Sequence, residues 1–399
     1  MKRIQAREKR NKFNAMLDLN DYFDPVSIDK PLWSHLAEPS RFAHNLVINT
    51  ESRQIKDPGS FRLALVGVPD DRRSPNKGCA SAPDEIRADL YQLSRLPGKI
   101  KIADLGNLKK GISFDDTLAA LSDIVEYLLG ENTFPLILGG SSTLIPAIAK
   151  KIKGSYDYVS VDSRIDWVNE RKEKDSFNYL SDIINISSNL NNFMVVGYQS
   201  YLNDPQVLNR FRKLKHDLVR IGEVRDDIHE IEPSFRDSGL ITFDISAVRQ
   251  ADAPGTFAPS PNGFYGEEIC LLSRYAGLSD SLQAAGFFEV NPLLDSRRQT
   301  TSMASQMIWF FLEGFTQKQN ESSVLSKENS GRFVNYHVSI EDSNEDLVFI
   351  KSTITNRWWI EYTSKKGKKH YIACSYNDYL LAGDNEIPVR YMKAVKRIN

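Results

Sequence analysis

Residues 240–243 read Leu-Ile-Thr-Phe and are followed at once by Asp244. A short run of apolar and β-favouring residues that stops at a carboxylate is typical of a buried strand with a polar group at its end. The same pattern predicts strands over residues 61–68, 134–138 and 156–161, and each of these also stops at a turn or a polar side chain. Shorter runs at 100–103, 193–196 and 285–290 complete the set.

Helix-start signals stand between these strands. Ser81, followed by Pro83 and two acids, predicts one helix N-terminus, and a capping box from Ser113 to Asp116 predicts another. Strands and helices alternate over roughly 250 residues, which predicts an α/β fold with a three-layer α/β/α, doubly wound, mostly parallel sheet. Ligands of such sheets bind at the carboxyl ends of the strands.

Composition divides the chain into four predicted units. Residues 1–35 form a basic N-terminal arm, 36–317 the α/β/α domain, 318–331 a polar linker, and 332–399 a small, β-rich C-terminal α+β module. The basic side chains of the arm lie between Lys2 and Lys12.

Charge and hydropathy exclude several classes of protein. The 399 residues carry 51 Lys and Arg against 52 Asp and Glu, so bulk charge gives no sign of a nucleic-acid binder. No apolar run approaches the ~20 residues of a transmembrane helix, and no secretory signal is visible. The three cysteines are widely spaced. A cytoplasmic location is therefore expected.

Several strings together resemble one family, the ureohydrolases, which includes arginase, agmatinase and formimidoylglutamase. The resemblance covers roughly residues 40–317. The matching strings are Gly67-Val-Pro-Asp-Asp71 with Asn76-Lys-Gly78, Gly139-Gly140-Ser141-Ser142, Asp162-Ser-Arg164-Ile-Asp166, Asp244-Ile-Ser246 with Ala253-Pro-Gly-Thr256, and Glu289-Val-Asn-Pro292. The resemblance implies an arginase-like fold and a reaction in which two manganese ions activate water toward a guanidinium or formimino carbon.

The same resemblance implies six metal ligands, of which three are kept. Asp162, Asp166 and Asp244 remain, whereas Ser142, Arg164 and Ser246 stand where the family carries two histidines and an aspartate. A guanidinium is always protonated and cannot bind a metal ion. We therefore expect no catalytic residues and a vestigial site made of these six positions. Glu289 resembles the family residue that holds the cationic end of the substrate and is the candidate ligand-binding residue.

No cofactor is expected on this interpretation. The alternative is a weak single site for one divalent cation, Mn²⁺, Mg²⁺ or Ca²⁺, held by Asp162, Asp166 and Asp244. The corresponding functional prediction is a non-catalytic scaffold or binding protein. Two alternatives remain open: a formimidoylglutamase-like or agmatinase-like amidinohydrolase that releases formamide or urea, and a sensor of a guanidino or amine ligand.

Predicted partners follow from the added segments. From Thr363 to the end of the chain, eight basic residues stand against three acidic ones, which favours an acidic protein partner. The basic arm leaves nucleic acid open as a partner. The family resemblance implies a homo-oligomer.

Overall fold

The fold is that of a computed structural model. It describes residues 18–27, 32–168, 175–214, 216–325, 331–340 and 345–398. The basic side chains of the predicted N-terminal arm, from Lys2 to Lys12, lie outside these ranges.

A ten-stranded sheet forms the middle layer of the described main domain. Its order is β1-β4-β3-β5-β10-β9-β6-β7-β8, with β2 paired to β4, and only the β1–β4 pair is antiparallel among the described pairs. The strands are β1 Phe23–Asp24, β2 Leu46–Ile48, β3 Leu63–Val68, β4 Ile102–Leu108, β5 Phe134–Gly139, β6 Tyr156–Val161, β7 Leu190–Tyr198, β8 Asp217–Arg220, β9 Ser238–Asp244 and β10 Ala284–Phe288. The predicted parallel sheet is confirmed.

Helices cover both faces of this sheet. Alternate side chains of β3 show the two layers, because Leu63 and Leu65 join one apolar core and Ala64 and Val66 join the other. The helices of the main domain are α1 Leu19–Tyr22, α2 Ala82–Leu90, α3 Phe114–Gly130, α4 Ile145–Ala149, α5 Leu180–Ile186, α6 Pro205–Lys213, α7 Ile221–Asp226, α8 Glu232–Arg236, α9 Gly266–Leu278 and α10 Gln299–Thr316. The three-layer α/β/α prediction is thus confirmed.

The two predicted helix starts differ in their caps. At α3 the capping box is present: Ser113 Oγ accepts from the Asp116 backbone N at 3.1 Å, and the Asp116 carboxylate accepts from the Ser113 backbone N at 2.8 Å. At α2 the helix begins at Ala82 as expected, but Ser81 is not a side-chain cap. Its hydroxyl donates to the Gly78 carbonyl at 2.9 Å instead.

The C-terminal residues form a four-stranded antiparallel sheet with two helices. Their bounds are β11 Phe333–Ile340, β12 Glu345–Ser352, β13 Trp358–Thr363, β14 Lys369–Cys374, α12 Tyr376–Gly383 and α13 Val389–Ile398. The β13–β14 turn contains Gly367 at φ +74°, a left-handed conformation that favours glycine. A short helix, α11 Ser322–Leu325, precedes this module in the region predicted as a linker.

The module contacts the main domain through the tryptophan pair of β13. Trp358 lies in the core of the module, while Trp359 points to the opposite face, where the Arg236 guanidinium stacks on its ring at 4.7 Å. Arg236 also donates to the Trp358 carbonyl at 2.7 Å and pairs with Glu232. Both tryptophans are buried. The pair therefore serves the module core and its attachment.

Candidate functional site

Five neighbouring strands, β3, β5, β10, β9 and β6, end at the same edge of the sheet. Three of them deliver the predicted site residues directly: Asp162 follows β6, Asp244 ends β9, and Glu289 follows β10. Ser142 begins the short helical turn after β5. Parallel topology therefore gathers residues that are up to 147 positions apart in sequence, as the Ser142–Glu289 contact shows.

Asp162, Asp166 and Asp244 form a cluster of buried carboxylates. Each offers one oxygen that lies within 4.8 Å of the others. The Asp162 carboxylate accepts from the Arg164 backbone N at 2.9 Å, and that of Asp244 accepts from the Ser246 backbone N at 2.8 Å. Ser142 Oγ also donates to Asp244 at 3.3 Å. Backbone and hydroxyl donors thus orient two of the three groups.

This cluster carries more negative charge than its surroundings neutralise. Burial and the charge of Asp244 hold the pKa of Asp162 well above its usual range. Burial and the other carboxylates do the same to the pKa of Asp166. Burial also raises the pKa of Asp244. Carboxylates that crowd in this way take up a proton or a cation.

Arg164 contributes its charge at a distance. Its guanidinium donates to Ser163 Oγ at 3.4 Å and to the Ala258 carbonyl at 3.2 Å. The positive charge lowers the pKa of all three aspartates, although burial and mutual repulsion outweigh it. In the described part of the chain, Arg164 forms no ion pair with them. Its charge therefore acts on the carboxylates without a direct ion pair.

Glu289 is held in a strained backbone conformation at the same edge. Its φ is 64°, a left-handed value uncommon for a residue other than glycine. The carboxylate accepts from the Ser142 backbone N at 2.8 Å and from Asn76 Nδ2 at 2.9 Å. Burial and the charge of Asp244 raise the pKa of Glu289 to about 7.

A small cavity of about 20 Å³ lies among these groups. That volume suits one water molecule or ion. Phe177 and Phe257 line it, with ring centroids 6.2 Å apart, and sequence reasoning missed both. It also missed the Ser176–Ser74 hydroxyl contact at 3.2 Å. The signal available for Phe257 was its position directly after the Ala253–Thr256 string.

The residues present fit one divalent cation. Three buried carboxylates without an ion-paired partner, in the part of the chain that the structure describes, converge on a cavity of ionic size. Ser142 and Ser246 add hydroxyl oxygens beside them. An all-oxygen set of this kind suits hard cations such as Mg²⁺ or Mn²⁺.

The fold and this strand-end site define a three-layer α/β/α protein with a polar pocket at the carboxyl ends of its parallel strands. The model of the arginase family matches residues 61–313. The chain therefore belongs to the arginase family, and the predicted ureohydrolase resemblance is confirmed. The match ends before the first strand of the C-terminal module.

Individual relatives include several formimidoylglutamases and an arginase of Bacillus caldovelox. The formimidoylglutamase of Bacillus subtilis (strain 168) is 26% identical over 305 residues, which cover 68% of this chain and 91% of the relative. The crystal structure of formimidoylglutamase from Bacillus subtilis aligns with a TM-score of 0.63 at 20% identity, covering 73% of this chain and 97% of that one. Trypanosoma cruzi formiminoglutamase, solved with Mn²⁺, aligns with a TM-score of 0.61 at 19% identity, covering 65% and 95%.

These comparisons correct two predictions. The prediction of a non-catalytic scaffold is wrong, because the curated relatives carry the name of an enzyme and favour the amidinohydrolase alternative. The prediction of no cofactor is also wrong, because a structural neighbour is solved with Mn²⁺ and points to a divalent cation. Within the described ranges, no helix is long and apolar enough to cross a membrane.

Proposed function

We propose that this protein is a metal-dependent hydrolase of linear amidines, with N-formimidoyl-glutamate as its first candidate substrate. The observation that carries the proposal is the convergence of Asp162, Asp166 and Asp244, all buried and without a paired cation among the described residues. The names of the curated relatives supply the substrate class.

The three aspartates would hold one divalent cation through carboxylate oxygens. A cation bound there acts as a Lewis acid that lowers the pKa of water. The Ser246 and Arg164 backbone N–H groups keep two of these carboxylates oriented by hydrogen bonds of 2.8 and 2.9 Å. Arg164 adds positive charge nearby, which supports one cation rather than two.

Glu289 would bind the amidine group. Its carboxylate accepts hydrogen bonds from the Ser142 backbone N, Asn76 Nδ2 and Ser74 Oγ, and a lone pair that remains can accept from a substrate N–H group. With a pKa of about 7, this side chain can hold a proton near neutrality and give it to the leaving nitrogen.

The reaction balances with water as the second substrate. The water oxygen forms a bond to the formimino carbon, the bond from that carbon to the glutamate nitrogen breaks, and the two protons of water go to the formimino nitrogen and to the leaving glutamate nitrogen. The products are formamide and glutamate. Phe177 and Phe257 line the small cavity of the candidate site, so their rings would contact a substrate bound there.

The test is direct. Chelator-treated protein is reloaded with Mn²⁺ or Mg²⁺ and incubated with N-formimidoyl-glutamate, and formamide is quantified. We expect cation-dependent release that Asp162→Asn abolishes, while the control Asp123→Asn on α3 retains it. Absence of formamide with either cation would overturn the proposal. Release of urea from agmatine instead would move the substrate assignment to the agmatinase branch.

We further propose a reducing compartment such as the cytoplasm, and self-association. All three cysteines are free and buried, which suits a reducing environment. The family resemblance supports a homo-oligomer. Light scattering of the purified protein tests the second statement, since a monomer at micromolar concentration would contradict it.

A further inference from the structure

A second cavity lies at the opposite edge of the sheet, where the C-terminal module meets the amino ends of β6, β7 and β9. Its volume is about 430 Å³, within the usual range for small-molecule sites. Asp157 lies near the start of β6 and Asp162 follows its end, so five residue steps of extended strand separate them by about 17 Å. This cavity is therefore distinct from the carboxylate cluster of the candidate active site.

The wall of this cavity is acidic. Six carboxylates line it, against three basic side chains, Arg390, Lys393 and Arg397. All three basic groups are already engaged: Arg390 pairs with Asp378 at 2.8 Å, and Lys393 and Arg397 each pair with Asp217 at 2.7 Å. The remaining carboxylates give the cavity a surplus of negative charge.

Asp157 and Asp237 carry much of that surplus. Asp157 accepts from Asn191 Nδ2 at 2.7 Å, and Asp237 accepts from the Ala373 backbone N at 2.9 Å. Neither forms an ion pair within the described residues. They sit side by side in the sheet, because Asp157 pairs in register with Ser238, the residue after Asp237. Burial raises the pKa of both carboxyls.

The side chain of Asn192 places a hydrogen-bond acceptor without a partner near Asp157 and Asp237. Asn192 is 2% exposed, lines the cavity, and pairs in register with Asp157 across β6 and β7. Its Nδ2 donates to the Asp217 carboxylate at 3.0 Å. Because a carboxylate only accepts, the amide cannot be reversed, and Oδ1 is left buried without a hydrogen-bond partner. Such an acceptor is satisfied in native proteins by a donor from outside the chain, either an ordered water molecule or a bound group.

The other wall is apolar. Val159 and Met194 from the main sheet and Ile372 and Leu381 from the module line the same cavity. A bound metal ion or a single water molecule would leave these apolar side chains uncovered. A molecule with one cationic, hydrogen-bond-donating end and a short hydrocarbon chain would satisfy both walls.

We propose that this interdomain cavity binds a primary alkylammonium compound, whose –NH₃⁺ group donates to Asp157, Asp237 and Asn192 Oδ1 while its alkyl chain lies against Val159, Met194 and Ile372. An ammonium group offers three donors, which matches three acceptors. The proposal does not depend on the proposed hydrolysis reaction, because the two sites share no residue.

Isothermal titration calorimetry of the full chain tests the proposal, with n-butylamine and 1,4-diaminobutane as cationic probes and n-butanol as the neutral counterpart. We expect saturable binding of an amine and none of the alcohol. Asp237→Asn and Asn192→Leu should each weaken amine binding by about tenfold to a hundredfold, since each removes a charge-assisted hydrogen bond. Thermal melting of each variant shows that it is folded.

Two control variants locate the bound amine. Asp123→Asn removes a carboxylate outside the cavity, and Asp166→Asn removes one from the candidate active site, so both should keep wild-type affinity. Amine binding that is lost in Asp166→Asn and kept in Asp237→Asn would overturn the proposal. So would equal binding of n-butanol, binding of potassium ions alone, or the absence of measurable heat with both amines.

Discussion

Acidic residues lie at both ends of strands β6 and β9, but only those at the amino ends have several basic side chains close by. At the carboxyl ends, Asp162 and Asp244 stand with Asp166 in a pocket with no ion-paired basic group among the described residues. At the amino ends, Asp157 and Asp237 face the C-terminal module, which brings three basic side chains close by. The carboxyl-end cluster therefore has a surplus of unpaired negative charge. At the amino ends, the C-terminal module neutralises part of the negative charge.

The extent of charge pairing at each end of the strands indicates its role. A site that binds a cation must leave its carboxylates unpaired, at a cost in stability of the empty protein. At the amino ends the module pairs only part of the charge, because Lys393 and Arg397 pair with Asp217 whereas Asp157 and Asp237 form no ion pair among the described residues. The predicted excess of basic residues in the module is thus used in part within the chain.

The largest effect should come from the carboxyl-end cluster. Asp166→Asn removes one of three charged ligands and should lower formamide release by about 100-fold or more, since even indirect supports of metal sites cost 10- to 100-fold. In chelator the same variant should melt at a higher temperature than wild type, because it relieves repulsion among buried carboxylates. We therefore expect activity to fall while the melting temperature in chelator rises. A lowered melting temperature in chelator would contradict the inference that the three carboxylates repel one another when no cation is bound.

The second effect concerns attachment of the module. Arg236→Met removes a buried guanidinium that pairs with Glu232 and stacks on Trp359, so the free energy of unfolding should fall by about 3–5 kcal/mol. Arg249→Met is the matched control, because Arg249 also pairs with a carboxylate and stacks on an aromatic ring, but at the surface. Its loss should cost much less in urea unfolding, because water screens an exposed ion pair. Equal costs would mean that the attachment surface is not buried.

Sequence patterns predicted much of this architecture. Strand β6 has the predicted bounds, and the capping box at Ser113 is present, because both depend on local periodicity and local hydrogen bonds. The meeting of Asp162, Asp166 and Asp244 also followed from sequence, since parallel strands end at one edge. These features can be predicted because they depend only on residues close in sequence and on the parallel topology of the sheet.

Other features depend on contacts that no local pattern encodes. The Arg164 guanidinium bonds to the Ala258 carbonyl, 94 residues away, and Arg236 bonds to the Trp358 carbonyl, 122 residues away. A loss of histidine ligands suggested loss of the reaction, yet the relatives favour an enzyme. The three retained carboxylates fit a hard cation, which is compatible with that enzymatic alternative.

The third effect is the pH dependence of stability that comes from Asp237 at the amino-end cavity. Burial raises the pKa of Asp237 from 3.8 to about 6, so the folded state binds its proton more tightly than the unfolded state does. The stabilisation is complete below pH 3.8 and is lost as pH rises through 6. Asp237→Asn should therefore be more stable than wild type by up to about 3 kcal/mol at pH 7–8, with the advantage vanishing near pH 4. Unfolding free energies across this range check it, and a constant difference would contradict the assigned shift.

The smallest effect is expected at the rim of the module contact. Lys393 and Arg397 bind the same carboxylate, Asp217, at 2.7 Å, but the Lys393 side chain is 53% exposed and that of Arg397 only 19%. Water screens the more exposed pair, so Lys393→Met should change the free energy of unfolding by about 0–1 kcal/mol. Arg397→Met should cost more, because it takes the better-shielded partner from a buried acid. Urea unfolding of both variants in low and high salt measures the difference. The loss in Lys393→Met should shrink with salt, and a larger loss there than in Arg397→Met would reverse the assignment of the stabilising pair.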